Sequence, residues 1–143
     1  CMTALHATGL DEVAVRAAGS GRPFLGICVG MQLLYEGSEE SPAVPGLGVL
    51  PGTLRRLPDG VKRPQMQWNT LEVRRPSAMF APLPDPVWMY FVHSYAAPAI
   101  EIDELWATQF HPEKSGATGL ELLSGFVRTA AGSDPTALRA GEA

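Results

Sequence analysis

Cysteine is scarce in this chain. There are two, Cys1 and Cys28. A small secreted domain held by disulfides needs more, so a reducing cytoplasm is the expected compartment. Positive charge is also short. Eleven Lys and Arg stand against fifteen Asp and Glu, a net charge of −4, and the basic footprint of a nucleic-acid binder is missing. No apolar run is long enough to span a bilayer. The N-terminus lacks the charged-then-apolar pattern of a signal peptide. The three histidines are scattered, and Cys28 has no cysteine or histidine at ligand spacing. No metal and no cofactor are therefore expected.

Turn formers and apolar residues are abundant instead. Thirteen prolines and fifteen glycines imply many turns, and a hydrophobic content of 45% across 143 residues allows one domain with a core. Residues 2–18 read as helical, with an interruption at Thr8 and Gly9. Residues 23–27 read as a short buried strand. Met31, Leu33, Leu34 and Tyr35 read as a helix following it without a loop. Residues 36–48, "EGSEESPAVPGLG", are polar and rich in breakers, so a solvated loop is expected. Short β-like runs occupy 49–58 and 61–75, and one helical turn fits 77–85. Residues 86–96, "PVWMYFVHSYA", form the strongest strand, expected to be buried on both faces. Another strand precedes His111, and a helix over 115–130 closes the fold. The expected class is α/β, with a domain over 1–128 and a loose tail over 129–143.

One stretch carries chemistry. In "FLGICVGMQLLY", Cys28 sits between Gly26 and Gly30 where the strand turns into the helix. A nucleophile elbow has this pattern. The glycines let neighbouring backbone approach, and the helix N-terminus favours thiolate. The competing reading is a structural core cysteine, and the two stand even until a base is found. His111 supplies one. It opens "HPEKSG" at a strand end, where α/β folds place catalytic groups. Glu113, two residues on, is placed to orient its imidazole. Thiol, base and orienting acid make a nucleophilic triad. Alone, His111 reads as a surface loop histidine; beside the elbow, it reads as the base.

"GICVGMQLL" and "QFHPEKSG" together resemble the class I glutamine amidotransferases, a Cys-His-Glu hydrolase family. "GLGVLPG", "PQMQWN" and "YFVHSYAA", in the same order, resemble the branch serving imidazole glycerol phosphate synthases. The likeness runs from about residue 1 to 127. It implies a three-layer α/β fold, its sheet covered by helices on both faces. It implies Cys28 as the nucleophile forming a γ-glutamyl thioester, His111 as base and then acid, and Glu113 as its orienter. The Val29 N–H is implied as an oxyanion donor. Gln32, Ser94 and Tyr95 are implied as contacts for glutamine, although Gln32 also reads as an exposed helix residue and Tyr95 as an ordinary strand aromatic. His93 reads as structural. Gln67, Trp68 and Asn69 are implied to face a (β/α)8-barrel cyclase partner in a heterodimer, while Trp68 by itself reads as core.

The resemblance also carries expectations of difference. The family's first strands, and a Gly-rich loop supplying a second oxyanion amide, are expected ahead of "CMTAL" and are not in this sequence. The stretch between "HSYA" and "WATQF" is shorter than the family pattern, which holds an extra hairpin. The leading expectation is glutamine hydrolysis, with ammonia passed to a cyclase in histidine biosynthesis. Another class I glutaminase, an inactive partner-binding fragment and, more weakly, a cysteine peptidase remain as alternatives.

Overall fold

A computed structural model of the chain describes residues 1–77, 79–98 and 105–132. Its secondary structure is mixed α/β, and the chain divides into two units. One comprises residues 1–66 and 92–109; the other comprises 67–91 and the residues from 110 onward.

The first unit starts with two short helices, α1 (Met2–Thr8) and α2 (Leu10–Ala18). Gly9 breaks them apart with φ 68, a left-handed conformation that glycine adopts without a Cβ penalty. The interruption read at Thr8 and Gly9 is this joint. Asp11 and Glu12 lie in the first turn of α2, where negative charge suits the helix dipole.

Strand β1 (Phe24–Ile27) pairs in parallel with β7 (Leu105–Thr108), Gly26 opposite Ala107 and Ile27 opposite Thr108. The helix after it, α3 (Val29–Gln32), is one turn long. Tyr35 is not part of that helix. It begins strand β2 (Tyr35–Ser38), which pairs in parallel with β3 (Leu50–Arg56). β3 pairs in turn with β6 (Tyr95–Ala96), antiparallel.

The core of this unit explains the correction at Tyr35. Leu34, Leu50 and Leu54 are each 1% exposed and pack with Met31 and Tyr35. Continuing the helix would withdraw Tyr35 from that cluster, so tertiary burial overrides the helical pattern. Glu36 and Glu39, read as part of a solvated loop, accept the N–H groups of Gly52 and Arg56 at 2.8 Å. They brace the start and end of β3.

The second unit contains most of β4 (Gln65–Leu71) and β5 (Val87–His93), which pair with each other. A 3-10 turn (Pro112–Lys114) leads into helix α4 (Gly116–Ala130). The helical turn expected in 77–85 is present, with the Ala81 N–H donating to Ser77 O at 3.0 Å. Val87, Met89, Phe110 and Leu122 are buried here. β5 is not buried on both faces, because Trp88 is 49% exposed between Val87 and Met89. Burial alternates only over Val87 to Met89, with Trp88 outward, and Tyr90 to His93 are all half-buried. Thr129 and Ala130, expected to begin a loose tail, end helix α4, and the tail from 133 on lies outside the described residues, as does most of the shortened stretch after "HSYA".

Candidate active site

Cys28 stands at the corner between β1 and α3 with φ 45 and ψ −106. It has the only positive φ outside glycine among the described residues. Such a conformation costs of order 1–3 kcal/mol and persists only where its surroundings hold it. The Cys28 N–H donates to Thr108 O at 2.7 Å, and the Cys28 carbonyl accepts from the Gln32 N–H at 3.0 Å. The corner is therefore pinned to β7 on one side and to α3 on the other.

Gly26 gives that corner its room. A Cβ there would lie 3.0 Å from Met31 Cα and 3.2 Å from Leu34 Cδ1. Gly30 does not share this role, since a Cβ there meets nothing within 4 Å among the described residues. The helix-dipole argument weakens as well, because a single turn sums few peptide dipoles.

The sulfur sits between two polar groups of its own unit. The thiol donates toward Val92 O at 3.9 Å, and the Gln109 side-chain amide donates toward Sγ at 3.6 Å. Gln32 is half-buried, not an exposed helix residue. Its side-chain amide donates to Tyr95 O at 3.1 Å and to Gln109 Oε1 at 3.2 Å. Gln109 is not among the residues the sequence singles out, since a polar residue inside a strand-end motif carries no chemical pattern of its own. Its only available signal was the spacing of two residues from His111.

Val29, after the nucleophile, is 49% exposed. As the first helical residue its N–H has no intrahelical acceptor. Val29 and Gln32 also line a cavity of about 300 Å³ with Ser38, Glu40 and Ser41. That volume is near the lower bound of small-molecule pockets, about 300–1,000 Å³. Glu40 belongs to the "EGSEE" stretch that reads as loop, so the sequence gives no hint of its place in the lining. Ser94 O accepts the Leu57 N–H at 2.9 Å. Tyr95 packs its side chain against the core cluster, and its carbonyl also accepts from His93 Nδ1 at 3.0 Å. The structure thus joins Gln32 to Tyr95 through the backbone rather than the ring.

In the second unit, His111 caps the 3-10 turn, and its Nδ1 lies 2.6 Å from Glu113 Oε1. Its backbone is fixed by the N–H, which donates to Tyr90 O at 2.9 Å. Ser115, 3% exposed, ties the same loop to β5. Its hydroxyl donates to His111 O at 2.6 Å and accepts the Tyr90 N–H at 3.0 Å. The sequence offered a serine four residues past the histidine but no reason to select it. On β4, Gln67 donates to Asn69 Oδ1 at 2.9 Å. Trp68 is 48% exposed and makes an edge contact with Tyr90 at 5.8 Å between ring centroids, so it is not a core residue.

A cysteine elbow and a histidine held by a carboxylate are groups that thiol hydrolases use. The family model for glutamine amidotransferase class-I matches residues 5–105, and the chain belongs to that family. Among its relatives, the imidazole glycerol phosphate synthase subunit HisH of Desulfitobacterium hafniense is 43% identical over 144 residues, covering 87% of this chain and 68% of that protein. The same subunit of Deinococcus radiodurans is 44% identical over 89% of this chain and 69% of its own length. That of Dehalococcoides mccartyi is 44% identical over 90% and 72%.

Proposed function

We propose that this chain hydrolyses glutamine to glutamate and ammonia as the glutaminase subunit of an imidazole glycerol phosphate synthase. The observation that carries the reading is the Cys28 corner, a strained nucleophile in a chain 43% identical to that subunit of Desulfitobacterium hafniense. Cys28 Sγ attacks the carboxamide carbon, and the oxyanion forms beside the Val29 N–H. His111 takes the thiol proton and returns it to the leaving ammonia. Glu113 holds the imidazole by Nδ1, leaving Nε2 for the proton. Water then attacks the thioester with His111 as base, releasing glutamate and restoring the thiol.

The cavity beside Val29, lined by Gln32, supports a place for substrate next to the elbow. Gln32 is braced at one wall by its bonds to Tyr95 O and Gln109. Ser94 and Tyr95 remain the proposed contacts for the amino-acid end. Ammonia passes to a (β/α)8-barrel cyclase in a heterodimer, in the cytoplasm, within histidine biosynthesis. The exposed Trp68, with Gln67 and Asn69, supports a partner-facing strand, since half-exposed tryptophan is favoured at interfaces. Among the described residues no helix is long and apolar enough to cross a membrane.

Ammonia release from glutamine, with and without a cyclase subunit, tests this reading. Release that depends on Cys28 and rises with the cyclase is the expected result. A folded chain that binds the cyclase but releases no ammonia with it would overturn hydrolysis and leave a binding role.

A further inference from the structure

We infer that Gln109 is a positioning residue for the reaction, a two-ended brace whose amide N–H donor holds the Cys28 sulfur as thiolate while its carbonyl holds Gln32. The inference rests on the glutaminase reading and goes beyond it.

The polarity of the brace follows from one backbone atom. Tyr95 O is a carbonyl and can only accept, so the Gln32 group 3.1 Å from it must be the NH2. That same NH2 lies 3.2 Å from Gln109, which must therefore present its oxygen. The remaining end of Gln109, 3.6 Å from Cys28 Sγ, is then its NH2. A flipped Gln109 amide would set NH2 against NH2 at Gln32 and oxygen against sulfur. The backbone of β6 thus dictates, through two side chains, that the nucleophile meets a donor.

A donor aimed at sulfur stabilises the thiolate, which is the attacking form. The carbonyl of Val92, at 3.9 Å, accepts from the thiol instead. The two groups favour opposite protonation states, and Gln109 is the one that favours attack. Through Gln32 the same amide also holds a wall of the cavity beside Val29. One residue thereby couples substrate placement to the state of the nucleophile.

Two substitutions separate the ends. Gln109→Glu keeps an oxygen for Gln32 but sets a carboxylate against the sulfur. Gln109→Met keeps the length and removes both polar ends. A Cys1→Ser background leaves Cys28 as the single thiol, since Cys1 is exposed and reactive toward the same probe. The first readout is the rate of Cys28 alkylation by iodoacetamide at neutral pH in the full chain. The second is KM and kcat for glutamine with the cyclase present.

Alkylation should fall in the order wild type, Met, Glu, with Glu slower by about tenfold or more, the scale of one hydrogen bond to a charged group. KM should follow a different order. Glu should stay within about threefold of wild type and Met should rise further, because only Glu keeps the Gln32 contact. A structural role alone cannot produce these crossed orders. Folded variants that alkylate like wild type, or that lose both quantities in step with thermal stability, overturn the brace. Should Gln109→Met not fold, Gln109→Glu decides by its alkylation rate. A wild type that releases no ammonia would sink the glutaminase reading, while alkylation would still decide the donor.

Discussion

Glu113 Oε1 lies 2.6 Å from His111 Nδ1, a contact between residues two apart that the intervening proline shapes into a tight turn. In the proposed reaction the carboxylate orients the ring and takes no part in the proton transfers. Removing it should therefore cost less than removing the base. His111→Ala is expected to lower kcat by about 10³-fold or more, and Glu113→Ala by about tenfold to 10²-fold. Steady-state glutaminase assays with the cyclase present decide this. Equal, small losses at both positions would show that they do not act as base and orienter.

Cys28 forms the proposed thioester, so Cys28→Ala should abolish ammonia release and leave folding intact. The folding half of that expectation is independent of the chemistry. The corner's backbone bonds, from Cys28 N–H to Thr108 O and from Gln32 N–H to Cys28 O, survive the substitution. Circular dichroism and ammonia assays on one preparation measure both halves.

Gly26→Ala is expected to destabilise the chain and distort the elbow. Its Cβ would meet Met31 Cα at 3.0 Å, and Met31 is 5% exposed within the core cluster. Overpacking of this kind costs about 1–3 kcal/mol. Gly30→Ala, with open space at its Cβ, should be mild by comparison. Denaturant melts of the two variants test the contrast.

Ser115→Ala removes the hydroxyl that accepts the Tyr90 N–H and donates to His111 O. Leaving a buried polar group unsatisfied costs about 1–3 kcal/mol. Because the freed loop carries His111, kcat should fall as well, with KM for glutamine little changed. A loss of stability with kcat untouched would show that Ser115 holds the loop without setting the histidine.

The His6–Asp11 pair joins α1 to α2 at 2.7 Å, and the hydrogen bond from His6 lowers the Asp11 pKa below the usual carboxylate value. A depressed carboxylate contributes stability above its unfolded pKa, about 3.9. That contribution is lost as pH falls through the lower folded value. The Tm advantage of wild type over Asp11→Asn should thus be constant just above that range and shrink on acidification. An advantage unchanged down to pH 2 would exclude the pair as its source.

Much was determined by the sequence alone. The strand before Cys28, the helical break at Gly9, the "HPE" turn and the family resemblance follow from local patterns, because steric and hydrogen-bonding rules act within a few residues. The family match bears out that resemblance. Tertiary structure decided the rest. Tyr35 became a strand residue because Leu50 and Leu54 bury it. Glu36 and Glu39 became braces because β3 presents its N–H groups to them. Gln109 met Cys28, 81 residues away, because β1 and β7 pair in parallel and bring the two strand ends together. No periodicity encodes a contact of that separation. It exists only once the sheet has formed.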